Sequence, residues 1–343
     1  MQVNQHTTIH VKVRPACALI ILLIGTLLLV VGLIVSIAID TTAIKLHTIW
    51  EAIFHYKSGI LQYQIVRNLR LPRALASALV GACFAIAGAI MQGMTRNPLA
   101  SPGLLGVNAG AAFALAICLA FYPSLSFQYL IIFSFVGATF SSGLVYGIGS
   151  IAKGGLTPVR LALAGVAVSS LLTAFSSEIS IYYHIAQDIA FWHAGGVVGA
   201  NWSQIKIMLP WVTGGMIGAF ILSRSITVMS LGEDIATGLG QRIMLVKLAG
   251  SIIVLVLAGT AVSVVGPVGF VGLVIPHIVR ILVGVNYRWI IPCSAVCGSL
   301  LMVWADIGSR VINYPFETPV GALIAIIGVP FFLYLARKER REL

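Results

Sequence analysis

Eight stretches of this chain contain no Asp, Glu, Lys or Arg: 15–39, 74–95, 97–152, 161–177, 207–223, 248–279, 289–305 and 318–336. A helix needs roughly 20 apolar residues to cross a bilayer, and in lipid its backbone groups must be satisfied internally. Runs of this length therefore predict membrane helices. The stretch 97–152 accommodates two spans, with a turn near Tyr122-Pro123-Ser124. Interrupted segments near 189–200 and 270–283 bring the total to about ten. The runs are continuously apolar rather than alternating, which excludes a membrane β-barrel. Composition agrees, because a soluble protein with 59% hydrophobic and 9% charged residues could not cover its surface. The run 15–39 exceeds a signal-peptide core and shows no small-x-small cleavage pattern near Asp40, so it reads as a true span. The expected fold is an all-α polytopic membrane protein of about ten transmembrane helices.

Loop charge sets the orientation, since Lys and Arg concentrate on the cytoplasmic side. Lys12 and Arg14 near the start, and ARKERREL at the end, put both tails in the cytoplasm. Of the 21 Lys and Arg, only Lys45, Lys57, Arg67, Arg70, Arg73, Lys206 and Arg310 then fall outside. The net charge of +11 is thus a membrane signature. Nucleic acid is not an expected partner, because no basic patch is interleaved with aromatics. Arg67, Arg70, Arg73 and Arg310 run against the bias. They either meet acidic groups on an external partner or snorkel to lipid phosphates, and the residues alone leave both readings open.

The segment 85–107 (AIAGAIMQGMTRNPLASPGLLGV) resembles 256–278 (VLAGTAVSVVGPVGFVGLVIPHI). Each has an AG-containing helix end, a break and a short GL-rich stretch. The two run in opposite directions in this topology, predicting inverted repeats of spans 2–5 and 7–10. The chain divides into a tail (1–14), a first span (15–39), a first repeat (60–183), linking spans (190–223), a cytoplasmic segment (224–242), a second repeat (243–337) and a tail (338–343). Closely spaced glycines such as Gly81 and Gly88 favour tight helix contacts.

Signatures of intrinsic chemistry are missing. There is no GxxxxGK[ST], no HExxH and no CxxC, and the seven histidines lack metal-ligand spacing. No cofactor or metal is expected, and no enzymatic activity. Five cysteines (Cys17, Cys83, Cys118, Cys293, Cys297), all in apolar runs, argue against a disulfide framework. Acids near membrane depth are few: Glu178, Asp188 and Asp306. Asp306 stands at i, i+4 from Arg310, so a helix-end ion pair accounts for it, and an ion-coupled carrier lacks its usual buried carboxylate. The segment Arg224–Arg242 carries Gly232-Glu233-Asp234 ahead of a short amphipathic pattern, suited to a short helix across the membrane face.

The most telling stretch is Arg70–Gly110, RLPRALASALVGACFAIAGAIMQGMTRNPLASPGLLGVNAG. Two arginines at the mouth of a span read as a docking surface rather than a packing device. With RLPR at 70–73, the run 81–92, NPLASPGLLGV at 97–107, LALAG at 161–165, SLGEDIATGLG at 230–240, GFVGLVIPHIVR at 269–280 and ADIGSR at 305–310, the chain resembles the FecCD family. These are permease subunits of type II ABC importers for iron-siderophores, haem and cobalamin. The resemblance covers roughly 60–337, and these motifs occur in order.

The resemblance implies ten spans with cytoplasmic termini, in a bacterial cytoplasmic membrane. It implies a permease homo- or heterodimer, two cytoplasmic ABC ATPase subunits and an extracytoplasmic substrate-binding (lipo)protein, all assembled among membrane lipids. Arg70, Arg73 and Arg310 match arginines that meet glutamates of that binding protein. Leu231, Gly232, Glu233, Ala236, Leu239 and Gly240 match the coupling segment against the ATPase. Thr157, Pro158 and Val159 mark the cytoplasmic gate, where the family often has small hydroxyl residues. The fifth and tenth spans, about 160–183 and 319–337, line the path. The expected function is ATP-driven import of an iron chelate, with a ferric siderophore as the expected cargo and haem or cobalamin as the alternatives. A stand-alone ion-coupled carrier is the alternative of a different class.

Overall fold

The computed structural model describes residues 14–39, 44–151, 158–314 and 316–339. Helix α1 (Pro15–Ala38) leads to the short α2 (Leu46–Phe54) and α3 (Leu61–Ile65). A π-helical turn, Val66–Arg70, joins α3 to α4 (Leu71–Thr95). After a 3-10 turn at Pro102–Leu105 come α5 (Val107–Phe121), α6 (Phe127–Ile151), α7 (Pro158–Tyr182), α8 (Ala186–Ala194), α9 (Trp202–Leu231) and α10 (Glu233–Gly238). The chain continues through α11 (Ile243–Val265), α12 (Val271–Val283), α13 (Tyr287–Val311) and α14 (Val320–Glu339). Among the described residues seven helices are long and apolar enough to cross a membrane, and the shorter apolar helices α5, α12 and α14 bring the number to ten.

One expected crossing is absent. Residues 189–200 form part of α8, nine residues long, and a loop. Gly195 and Gly199 adopt positive φ and end the helix. A capping box restarts it: the Asn201 side chain accepts from the Gln204 N–H, and the Gln204 side chain accepts from the Asn201 N–H. The stretch 190–223 therefore holds one crossing helix, α9, rather than several.

Helix α4 is the centre of the bundle. Of its 25 residues 20 are buried, against 5 of 24 in the peripheral α1. It packs on α13, α11, α12 and α9. Lipid tails are as apolar as leucine, so close backbone approach has to supply the attraction between helices. A methyl group on Gly81 would strike the carbonyl of Gly298 in α13, and one on Gly88 that of Gly272 in α12. These glycines are contact points with no room for a side chain.

The start of α4 lies beside the ends of α1 and α13, where Arg73 meets Asp306. Its other end lies against the start of α11, where Gly250 faces Met94. Helices α4 and α11 thus run in opposite directions, as inverted repeats require. Both repeats are interrupted after their first helix, at 96–106 and at 266–270, and each break uses left-handed backbone: Arg96 and Gly106 in the first, Gly266 and Phe270 in the second.

Helix α12 contains Pro276, which has no N–H to give the carbonyl of Gly272 four residues earlier. Gln92 on α4 supplies the missing donor, its Nε2 lying 3.3 Å from the Gly272 oxygen and 3.0 Å from that of Leu273. The Gln92 Oε1 accepts from Arg280 Nη2 at 3.0 Å, and the same nitrogen donates to the Tyr287 hydroxyl at 3.1 Å. A proline in one helix is thereby offset by an amide in its neighbour.

Candidate functional site

Two polar regions stand at opposite ends of the bundle. The first begins with a requirement of α1. The last carbonyls of a helix have no partner within it, and those of α1 end among the first turns of α4 and the last turns of α13. Arg70 gives Nη1 to the carbonyls of Ile37 at 2.9 Å and Ala38 at 3.3 Å. Arg310 gives Nη1 to those of Ser36 at 2.9 Å and Ile39 at 3.0 Å. Two guanidinium groups from other helices therefore cap α1, where cations also suit the helix dipole.

Arg310 spends its remaining donors nearby: Nε on the Asp306 carbonyl, and Nη2 on the Ser36 hydroxyl at 2.7 Å and Asp306 Oδ2 at 2.9 Å. All five N–H groups of this guanidinium are engaged. Arg73 reaches the other oxygen of Asp306 through Nε at 3.0 Å and Nη2 at 2.9 Å. Its outer edge meets Glu317, with Nη1 and Nη2 each 2.8 Å from a carboxylate oxygen. Asp306 is fully buried and bridges two arginines. The ion pair expected between Asp306 and Arg310 is present, and Arg73 joins it.

The loop charges put Arg70, Arg73 and Arg310 on the outer side, as candidates for docking. They come together at one end of the bundle, but buried, at 3%, 9% and 6% exposure. The reason is the unmet demand of the α1 carbonyls and of Asp306. The outlying cation is Arg67, exposed and stacked over the Tyr56 ring at 4.5 Å, with its carbonyl accepting from Trp202 Nε1 at 2.7 Å.

At the opposite end α9 stops at Gly232, whose φ of 143° suits glycine alone. Helix α10 follows, anchored by buried Ala236 and by Glu233 Oε1 at 2.8 Å from Lys247 Nζ on α11. Gln241 Nε2 bonds the Ser225 carbonyl on α9 at 2.9 Å. Gly240, also at positive φ, turns the chain toward α11. Leu231, Ile235 and Leu239 are left exposed, Leu239 by 70%. The predicted coupling residues thus form one small elbow with an apolar, uncovered face. Of the predicted gate residues, Thr157 lies outside the described residues, Pro158 opens α7 and Val159 is exposed.

Two cavities meet at His193. One, of about 320 Å³, lies between α5, α7 and α8 and is lined by Thr173, Ser176, Ser177 and Ser180. The other, of about 410 Å³, is bounded by Phe270, Pro319 and Gly321. Among the described residues no group of three His, Cys, Asp or Glu could hold a metal ion. Sequence reasoning missed Glu317, Gln92 and His193. Glu317 alone carried a signal, as the acid directly before the final uncharged run.

Comparison with known proteins agrees with this architecture. The profile of the FecCD transport family matches residues 27–338. The chain is 53% identical to the iron(3+)-hydroxamate import system permease protein FhuB of Bacillus subtilis, over 100% of this chain and 91% of that one. It is 41% identical to the Fe(3+)-citrate import system permease protein YfmD of the same organism, over 96% and 98%. A solved inward-facing structure of a metal-chelate type ABC transporter superposes with a TM-score of 0.81 at 28% identity, covering 93% of this chain and 99% of that one. Ten apolar helices among the described residues, the ordered motifs and a family match spanning nearly the whole sequence place this multi-pass membrane protein in the FecCD transport family.

Proposed function

We propose that this chain is the membrane-spanning permease of a binding-protein-dependent ABC importer that carries a ferric hydroxamate-type siderophore into the cytoplasm. The observation that carries the cargo is the 53% identity, over the whole chain, with a permease of iron(3+)-hydroxamate import. A hemin permease, HmuU of Yersinia pestis, is 31% identical, so haem ranks behind. The chain works beside a second permease subunit, with two ATPases on the cytoplasmic side and a binding protein outside.

In this reading both termini are cytoplasmic. The elbow of Leu231, Gly232, Glu233, Ala236, Leu239 and Gly240 receives the ATPase, supported by its uncovered leucines. Thr157, Pro158 and Val159 mark the cytoplasmic gate, and the hydroxyl-lined cavity along α7 suits a neutral polar chelate that must leave as readily as it binds. The arginine cluster is the outer docking site with a division of labour. Arg70 and Arg310 hold the end of α1, and Arg73 presents the edge that a partner's carboxylate can use.

An ion-coupled carrier is disfavoured because Asp306 is consumed by two arginines. The test is uptake of radioactive iron as a ferric trihydroxamate by vesicles holding the permease pair, with and without the ATPase, internal ATP and the binding protein. Uptake that needs all three supports the proposal. Uptake by the permease pair alone, abolished by an ionophore, would sink it.

A further inference from the structure

Arg73 is already occupied by a carboxylate of its own chain. Its guanidinium has five N–H groups. The Nε–Nη2 edge is spent on Asp306 and the Nη1–Nη2 edge on Glu317. One N–H, on Nη1, is left over, and a carboxylate held by one N–H forgoes the two-pronged geometry that makes arginine the preferred partner. An incoming carboxylate cannot be added to this fork. It has to replace one of the two acids in it.

The two acids differ in how they are held. Asp306 is fully buried inside α13 and also bound by Arg310. The Glu317 side chain is 37% exposed and sits in the segment between α13 and α14. Removing Asp306 would strand two buried arginines, whereas Glu317 can turn outward into water. The neighbouring Thr318 N–H is tied to the Ser309 carbonyl at 2.9 Å, and α14 begins three residues after Glu317, at Val320. The Glu317–Arg73 pair and the Thr318–Ser309 bond are thus two ties on the lead-in to α14, one wall of the second cavity.

We propose that Glu317 is an internal stand-in for a partner's carboxylate: an acidic side chain on the docking protein displaces Glu317 from Arg73, and the displacement releases the segment leading into α14. The inference rests on the docking reading above and adds an exchange step to it. The partner class is a protein surface bearing Asp or Glu. The permease is armed with a competitor that keeps Arg73 paired until that surface arrives.

The experiment measures binding of the cognate substrate-binding protein to the complete transporter in nanodiscs. Glu317→Gln removes the competing charge and keeps the shape. Binding should tighten roughly two- to fivefold, the worth of a partly exposed pair. Asp188→Asn, an exposed acid on α8, controls for general charge and should tighten binding by less than about twofold. Arg73→Gln should weaken binding. If Arg73→Gln changes nothing, the docking reading itself fails and the exchange with it. If Arg73→Gln weakens binding but Glu317→Gln leaves it unchanged or weaker, docking stands and the exchange is wrong. Hydrogen exchange on the unmodified transporter tests the release without any substitution. Amides of 316–323 should exchange faster once the binding protein docks, and unchanged or slower exchange there would overturn the release.

Discussion

Arg73 and Asp306 are 233 positions apart in the chain and 2.9 Å apart in space. The pair joins α4 to α13, the same two helices whose backbones meet further along at Gly81 and Gly298. Its acid is shared with Arg310 and has no access to solvent. Removing one member of such a group leaves the others charged, buried and unpaired, which costs more than the pair itself contributes. Asp306→Ala should therefore lower stability by about 3–5 kcal/mol, read as a fall in the thermal midpoint of the detergent-solubilised protein or as loss of folded material. Glu317→Gln, at the exposed edge, should cost no more than about 1 kcal/mol. Equal effects of the two changes would mean that the buried cluster contributes no more than its rim.

The partnership of Gln92 with Pro276 predicts a suppressor. Gln92→Leu removes the donor that the Gly272 carbonyl receives from α4 and should cost about 1–3 kcal/mol, the penalty of a buried unsatisfied group. Pro276→Ala restores an N–H at the position from which α12 would bond Gly272 itself. The double variant should recover part of the loss, with a favourable coupling of about 1 kcal/mol in a double-mutant cycle. Strict additivity of the two changes in thermal unfolding would refute the relationship.

The legibility of this protein in its sequence follows from how far each interaction reaches. Uncharged runs report directly on the solvent around a helix, so the membrane helices could be read one by one. Segment 189–200 misled because its composition is apolar while Gly195, Gly199 and the Asn201 cap decide the backbone. The i, i+4 relation of Asp306 and Arg310 is local and was visible. That Arg73 completes it across 233 residues was not, because a charge pattern does not say which helix ends share a corner. That Arg70 is drawn inward was hidden for a related reason: the carbonyls it meets belong to the backbone of α1, and every residue has a carbonyl. Gln92 hides among small residues whose spacing speaks only of packing.

The exposed leucines of the elbow give a third prediction. Leu239 is 70% exposed and packs on little of its own chain, so Leu239→Asp should leave folding intact, with a thermal midpoint close to that of the unchanged protein. If the elbow seats in an ATPase groove, the same change should weaken recovery of the ATPase with the permease roughly tenfold, as for loss of a central apolar anchor. Undiminished co-purification would remove this surface from the list of ATPase contacts. Lys247→Gln, which breaks the pair with Glu233 on the inner side of the elbow, separates the two effects: it should soften the anchoring of α10 while leaving the outward leucines in place.

If the arginine cluster docks a binding protein, Arg67 sets how the approach begins. It is the exposed arginine beside the buried cluster, held in place by Tyr56 beneath it, while Trp202 binds its carbonyl and not its side chain. Reversing its charge should therefore leave the backbone connection to α9 intact and cost only the stacking, about 0.5–1 kcal/mol. A rim charge acts mainly on the approach of a partner and its salt dependence, and buried pairs act on departure. Arg67→Glu should slow association of the binding protein by roughly three- to tenfold at low ionic strength, with the difference shrinking toward 0.5 M salt, and should leave the dissociation rate nearly unchanged. Surface plasmon resonance on the nanodisc-held transporter at two salt concentrations reads both rates. A change confined to dissociation would place Arg67 inside the contact rather than at its edge, and no change in either rate would show that the acidic partner approaches from another side.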